Sequence, residues 1–555
     1  GKDKLMKDVH TMLVKRHHSV KGEDSQFSPL IQDIAKETPG VEENVLFNAA
    51  KRFEKDAVIS QLLARYQYLK KRDFREAKDW AKNAKDLSRD NSYISDTSAQ
   101  VIKHELKSEI QSDKEDPIRP ERLKGYLRMA QSATEAFRDT QEIAKKEATL
   151  RVQNKRDNSP FNTAGNSGCS HHHRNTGKMS SVSSGNCHHD ILSEVLSGRF
   201  TIQDVARNDS KHHKHALYYC ILREFEDLLY NLRHNMKRHF DFLDSFHVNL
   251  GPRFTLKDSR EERTRQELFR CFYQYSDLFC KTDSTELMKN KNLSIMLQIH
   301  KARQFLEMRK ADTYSGILNC LSNVTSTDMM VKIVRQYDFI LSKTPERSVR
   351  EMVNFIYANV VLSCVKPESQ HLRPYKILID LLCQVLQGQI PYGETLALHF
   401  IAVALLWPQQ IVMSQTVESQ KLGSYVSQMR TSFWNEMKSV LNGKSPVVHF
   451  FLGKKQGYDR LIHLGELERC VSPQENFASL WENGKIWKHE RVKELLCRVT
   501  GWVQRKLILA VTWNTGSKIE VIPMFKSQLC GKIEGENVSF VIGFSMKGPL
   551  AFDIY

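Results

Sequence analysis

Apolar residues recur every three or four positions along most of this chain. In one stretch they are Tyr218, Ile221, Leu222, Phe225, Leu229, Leu232, Met236 and Phe240, the spacing that places side chains on one face of an α-helix. The runs "RTRQELFRCFYQYSDLFC", "VREMVNFIYANVVLSCV" and "ETLALHFIAVALLW" repeat the pattern, with short loops of Gly, Pro, Ser or Asn between them. They predict a helical array over residues 191–445. Residues 41–155 read as a first array of amphipathic helices, 1–40 as a shorter helical segment and 446–505 as a connecting helical segment. From residue 506 the period shortens to two. "KLILAVTW", "KIEVIPMF" and "NVSFVIGFSM" are rich in β-branched and aromatic residues, and Val538, Phe540, Ile542, Phe544 and Met546 alternate with the other face, as strands do. The expected fold is mainly α, closed by a small β-barrel or sandwich over 506–555, with Phe540 and Phe544 in its core.

Within the first array, "DFREAKDWAKNAKDLSRDNSYISDTSAQVI" follows the tetratricopeptide pattern of about 34 residues, where small side chains mark the contact of two antiparallel helices. Ala77, Ala81 and Ala84 hold the small positions of one helix, with Phe74 and Trp80 as large partners, and Ala99 holds that of the next. Arg65 stands where the preceding unit should have a small residue, and Arg89 replaces the usual closing proline. Ile102 takes the place that Tyr68 has one unit earlier. In this register Leu62, Tyr66, Leu69, Tyr93, Asp96, Gln100 and Lys103 line an inner groove, where solenoids build interaction surfaces. The competing expectation is that the chain's own helices fill it.

Residues 156–190 break the pattern. They are rich in Asn, Ser, Gly and His without sustained apolar periodicity, a composition that cannot bury enough surface to offset its ordering entropy. Cys169, His171, Cys187 and His189 offer a thiolate and imidazole set for zinc, but both pairs are spaced C-x-H, tighter than in common fingers. A linker is the expectation here.

Composition adds the class of partner. The 82 Lys and Arg outnumber the 65 Asp and Glu, a formal net charge of +17, which favours polyanions without saying anything about fold. On the terminal strands Lys506, Trp513, Lys518 and Lys526 interleave cations with an aromatic ring, a pattern suited to stacking single-stranded bases. "LNGKSP" lacks the upstream glycine of a phosphate loop, since position 438 is Lys. "FLGKKQGYDRLIH" reads as a structural turn with exposed lysines, and no triad or carboxylate pair follows from spacing. No catalytic group and no cofactor is therefore expected. No apolar run approaches the roughly 20 residues of a membrane span; Leu396–Trp407 ends at Pro408 and reads as a buried helix. Scattered cysteines, among them Cys220, Cys271, Cys320, Cys364 and Cys497, read as small buried hydrophobes of an intracellular protein.

Several strings together carry a resemblance: "DFREAKDWAKNAKDLSRDNSYISDT", "LKGYLRMAQSATEAFRDTQEIAK", "SPFNTAG", "FLGKKQGYDRLIH", "SLWENGKIWKHERVKELLCRVTG" and "VSFVIGFSMKGPLAFDI". In this order they closely resemble the carboxy-terminal region of the sterile alpha motif domain-containing protein 9 family. The resemblance implies a cytoplasmic protein tied to interferon responses, antiviral defence and restraint of translation and growth. It implies tetratricopeptide-like helices and a terminal OB-like barrel, with residues 1–40 as the tail of an upstream P-loop NTPase region. It also implies that the Cys/His insert, which departs from the family pattern after Asn166, is no shared metal site.

The expected role is a non-catalytic regulatory and recognition region whose barrel contacts RNA or ribosome-associated complexes. Its rival is a protein-interaction scaffold or autoinhibitory sensor for the upstream NTPase, without nucleic-acid binding. A positive face across Lys506, Lys518 and Lys526 would favour the first, and dispersed charge the second.

Overall fold

The computed structural model describes residues 2–14, 27–38, 40–113, 119–153, 202, 213–252, 259–280, 295–322, 327–408, 417–437, 444–471, 475–505, 507–511 and 518–555. They divide into two compact units: residues 1–240 with 259–282, and residues 241–258 with 283–555.

The first unit is helical. Its described helices are α1 (Lys2–Val14), α2 (Pro29–Glu37), α3 (Val41–Arg52), α4 (Ala57–Tyr66), α5 (Phe74–Leu87), α6 (Ser92–Ser112), α7 (Pro120–Gln153), α8 (His213–Glu224), α9 (Glu226–Asn249, whose last residues belong to the second unit) and α10 (Ser259–Phe279). A polar residue explains where several of them start. Asp56, Asp73 and Asn91 accept the first free amides of α4, α5 and α6 with their side chains, the groups a helix cannot satisfy itself.

Helices α4 and α5 pair, as do α6 and α7, and the alanines sit at the contacts: Ala64, Ala77 and Ala81 with Tyr68 in one cluster, Ala99 and Ala133 with Phe137 and Ile102 in the next. Ile102, half-buried, packs against the second of these clusters. Arg65 is no misfit either. Its guanidinium lies 4.8 Å from the Tyr93 ring centre, so a cation on an aromatic face fills the gap between α4 and α6.

The second unit starts from helices α11 (Ile295–Met308), α12 (Tyr314–Ser322), α13 (Thr327–Lys343), α14 (Val349–Val365), α15 (Tyr375–Gln387), α16 (Thr395–Leu406) and α17 (Leu422–Met437). Helix α16 is buried on every side, which accounts for its unbroken apolar text. Among the described residues no helix is long and apolar enough to cross a membrane.

A short ladder joins β1 (Leu250–Pro252) to β2 (Lys444–Pro446). The main sheet contains β3 (Val448–Leu452), β4 (Leu461–His463), β5 (Arg498–Gln504), β6 (Leu507–Val511), β7 (Lys518–Pro523), β8 (Asn537–Ser545) and β9 (Gly548–Phe552), in the order β4-β3-β8-β5-β6-β7-β9. Strand β9 also pairs with β8, closing a barrel of β5 to β9 in which only β7 and β9 run parallel. Short helices α18 (Leu464–Cys470), α19 (Phe477–Glu482) and α20 (Glu490–Leu495) cover the outside of the sheet, where Trp481 of α19 and Trp487 of the 3-10 turn Lys485–Lys488 pack against Phe451 and Phe552. The boundary expected at residue 506 therefore falls inside the sheet, because β5, β3 and β4 lie before it.

Barrel and helices share one core. A single cluster of buried residues runs from Ala302 and Tyr337 through Val353, Phe400 and Met429 to Phe450, Ile519, Phe540 and Phe544. Phe540 and Phe544 are 0% and 1% exposed, so they are core residues as alternation implied. Cysteine is the correction: Cys271 is buried, but Cys220 is exposed and Cys320, Cys364 and Cys497 are half-buried. Cys220 lies on the face of α8 opposite Ile221 and Leu222, which periodicity alone assigns inward.

Candidate recognition surfaces

The inner positions of α4 and α6 form a polar seam more than an open groove. Tyr66 is buried, edge-on to Phe27 at 6.3 Å, so the chain's own amino-terminal segment covers that end. Leu62 is buried and Leu69 half-buried. Asp96 and Lys103 are 6% and 7% exposed. Gln100 links them, donating to both Asp96 oxygens at 3.4 and 3.1 Å and accepting from Lys103. Burial raises the Asp96 carboxyl above its ordinary range, opposed by the Gln100 hydrogen bonds and by Lys103 and Arg65. Of the seven groove positions expected from sequence, Leu69, Tyr93 and Gln100 are half-buried and the other four are buried. A separate cleft of about 720 Å³ opens at the ends of these helices, lined by Arg52, Phe53, Asp56, Leu87, Asn91 and Ile94. Asp56 accepts from the Val58 amide of its own helix and pairs with His10 of α1, and Asn91 accepts from the Tyr93 amide, so both side chains are already engaged.

On the barrel, Lys518 is exposed at the start of β7, and its ammonium lies 5.9 Å from the ring centre of Trp502 on β5. Trp502 alternates with inward Val503 and faces outward, half-buried. Sequence reading singled out Trp513 and passed over Trp502, because β5 was expected to be helical; the alternation Trp502, Val503, Gln504 was the signal available. Lys506 and Trp513 lie outside the described residues, as do Cys169, His171, Cys187 and His189. Lys526 opens a short 3-10 turn after β7, and its side chain is outside the description.

The same face carries acid. Glu520, two residues along β7 from Lys518, is held by Arg430 of α17, which donates to both its carboxylate and, at 2.7 Å, its backbone carbonyl. Helix α17 comes this close because Gly423 has no side chain: a Cβ there would lie 2.8 Å from the Lys518 carbonyl oxygen. Part of the outer barrel is thus covered by the helical array. At the loop after β5, Glu534 accepts from the Arg505 amide and Lys532 pairs with Glu536. Charges of both signs are interspersed here.

"FLGKKQGYDRLIH" is a structural hairpin. The Gly453 amide donates to the Arg460 carbonyl at 2.7 Å, Gly457 takes a left-handed conformation, and Lys455 pairs with Asp459. Arg460, 6% exposed, donates to the Trp407 carbonyl at the end of α16, the negative end of that helix. Among the described residues no group of three or more His, Cys, Asp or Glu could hold a metal ion.

No family model matches the chain. Over its whole length it is 34% identical across 583 residues to "Sterile alpha motif domain-containing protein 9" of Homo sapiens, covering 36% of that protein. It is 34% identical across 571 residues to the human "Sterile alpha motif domain-containing protein 9-like", covering 35% of it. The Mus musculus 9-like protein is 32% identical across 574 residues, again with 35% covered. The chain therefore spans about a third of the length of these relatives, their carboxy-terminal third.

Proposed function

Because the chain is homologous along its whole length to the carboxy-terminal third of sterile alpha motif domain-containing protein 9 and its 9-like relatives, we propose that it is a regulatory and recognition region of a larger protein. It works by holding other proteins, its own upstream nucleotide-binding region among them, and carries no catalytic centre itself. One observation above the others supports this: the barrel is packed into the second helical array through a common core, so a contact made by either is felt by both. The mixed charge around Lys518, Glu520, Arg505 and Glu534 supports a protein-binding scaffold over a phosphate track, which needs one sign of charge along it. The antiviral, interferon-linked and translation-restraining role, and the cytoplasmic setting, are proposed from the motif resemblance alone.

A second reading keeps nucleic acid in play. Trp502 faces outward, half-buried, beside Lys518, and an outward ring with a neighbouring cation suits one stacked base and its phosphate.

The experiment that separates the two measures two affinities on the same purified chain. One is for the separately expressed upstream region, and the other is for labelled single-stranded RNA across a salt series. The scaffold reading expects saturable binding to the upstream region and no RNA binding at low salt. Tight RNA binding that weakens steeply with salt and is lost in Trp502→Ala and in Lys506→Glu/Lys518→Glu/Lys526→Glu would overturn it in favour of the barrel as a nucleic-acid reader.

A further inference from the structure

Helix α9 serves two cores in turn. Met236 and Phe240 pack with residues of α10 in the first unit, whereas Phe246, Val248 and the fully buried Leu250 just after it join the shared core of the second. Residues 241–252 thus belong to the second unit as a strap, the end of α9 followed by β1. Its anchors are mostly polar. Asn249, 0% exposed, donates to Ser245 and to the Tyr314 hydroxyl at 3.1 and 3.0 Å, meets His449 Nε2 at 3.3 Å, and accepts the Val447 amide at 2.9 Å through its carbonyl. Asp244 pairs with Lys310 at 2.9 Å, with both side chains largely buried, and Asp241 pairs with the more exposed Arg350 at 3.5 Å. Strand β1 adds three residue pairs with β2.

The seat of the strap is strained. Lys310, just after α11, has a left-handed backbone with φ of 55°, a conformation that favours glycine because a Cβ crowds the next carbonyl there. A lysine at such a position is explained by what its side chain binds, the Asp244 carboxylate. Its own carbonyl rests on Gly316 of α12, where a Cβ would lie 1.7 Å from the oxygen, so the turn has no slack. Strain of this kind persists only while the surroundings over-determine it, and it gathers at switch regions. The core is held differently, since α16 is buried at every residue from Leu396 to Leu406. Apolar burial accumulates residue by residue. A buried ion pair gives back most of its attraction as the cost of stripping water from both charges, and an exposed pair adds little.

We infer that residues 241–252 form a latch, which unseats from Lys310, Tyr314 and β2 in a local opening that leaves the helix-and-barrel core closed. Opening lets the Lys310 turn relax and frees the backbone of β2 to pair with another strand. Segments with few buried apolar residues open at lower cost than the core around them, and regulatory motions are drawn from such segments. The second unit therefore has two states, set by a segment that the chain delivers through α9, whichever partner the region binds.

Native-state hydrogen exchange on the whole chain tests this at the Val447 amide, which donates to the strap at Asn249, with amides in the middle of α16 as the core reference. In the wild type Val447 should exchange about 100-fold faster than the α16 amides and with a weaker dependence on denaturant. Asp244→Asn keeps the size and an acceptor for Lys310 but removes the charge. It should speed Val447 by about tenfold and leave the α16 amides unchanged. Ser245→Ala, which removes the bonds from Ser245 to Tyr314 and Asn249, should act in the same direction and serves if Asp244→Asn does not fold. Val447 and α16 amides that exchange together in the wild type overturn the latch. So does a variant that changes both equally, or neither.

Discussion

The two units bury their apolar side chains in different ways. In the first unit the described core is broken into separate clusters: one joining α1 to α4, one around Ala64, Ala77 and Ala81, one around Ala99, Ala133 and Phe137, and one joining α7 to α8, α9 and α10. In the second, one large cluster passes from α11 to the barrel strands, beside a smaller one in which Phe451, Trp487 and Phe552 pack on the outer side of the sheet. Stacked hairpins need only touch their neighbours, so alanines at each contact are enough and stability adds up unit by unit. A buried helix such as α16 cannot be satisfied by one neighbour, and its apolar surface draws helices and strands into one body. The first design suits a surface that can flex or lengthen, and the second suits a module that must respond as a whole.

The largest effect should come from the shared core. Phe540→Ala, at a fully buried position, should cost the second unit about 3–5 kcal/mol, and denaturant melts should show helix and strand signals falling together; a loss confined to strands would break the contrast. Arg498→Ala comes next. Its guanidinium bonds the Asp553 carboxylate and carbonyl at 2.7 and 2.6 Å, bonds Ser539, and lies 3.8 Å from the centre of the Tyr555 ring. About 2–3 kcal/mol is expected from these charge-assisted bonds, read as faster proteolysis near residue 553.

Glu436→Gln should act with the opposite sign. A carboxyl raised to about 7 adds stability at low pH that is lost as pH rises from about 4.5 through 7. The amide should therefore stabilise the second unit by roughly 1–2 kcal/mol at pH 8, allowing for its partial exposure, and by nothing at pH 4. Thermal melts at both pH values test this. In the first unit, Ala81→Leu overfills a contact where the native residue is 1% exposed, costing about 1–2 kcal/mol. That loss should stay within the α4–α6 neighbourhood in hydrogen exchange and leave the second unit unchanged.

The contrast was partly visible in the residues. Alanine spacing at 77, 81 and 84 placed the α4–α5 and α5–α6 contacts, and alternation at 538–546 placed β8. Strands β3, "VHFFL", and β9, "GPLAF", were not legible, since short apolar runs buried on both faces have no period. β5, "RVTGWVQ", carries a glycine mid-strand and was assigned to helix. Trp502 was lost with it. Of the groove, Tyr93 and Gln100 keep exposed surface, but Asp96 and Lys103 neutralise each other's surroundings through Gln100, a tertiary arrangement that spacing cannot report. The cation–aromatic contact of Arg65 likewise became intelligible only when Tyr93 was seen across from it.

The central claim is that the second helical array and the barrel are one cooperative body, and native-state hydrogen exchange under low denaturant tests it most directly. Amides of α14 and α16 and of β5, β8 and β9 should open together, with the same dependence on denaturant. Barrel amides that exchange at clearly lower denaturant than those of α16 would contradict it and make the barrel a separate domain resting on the helices.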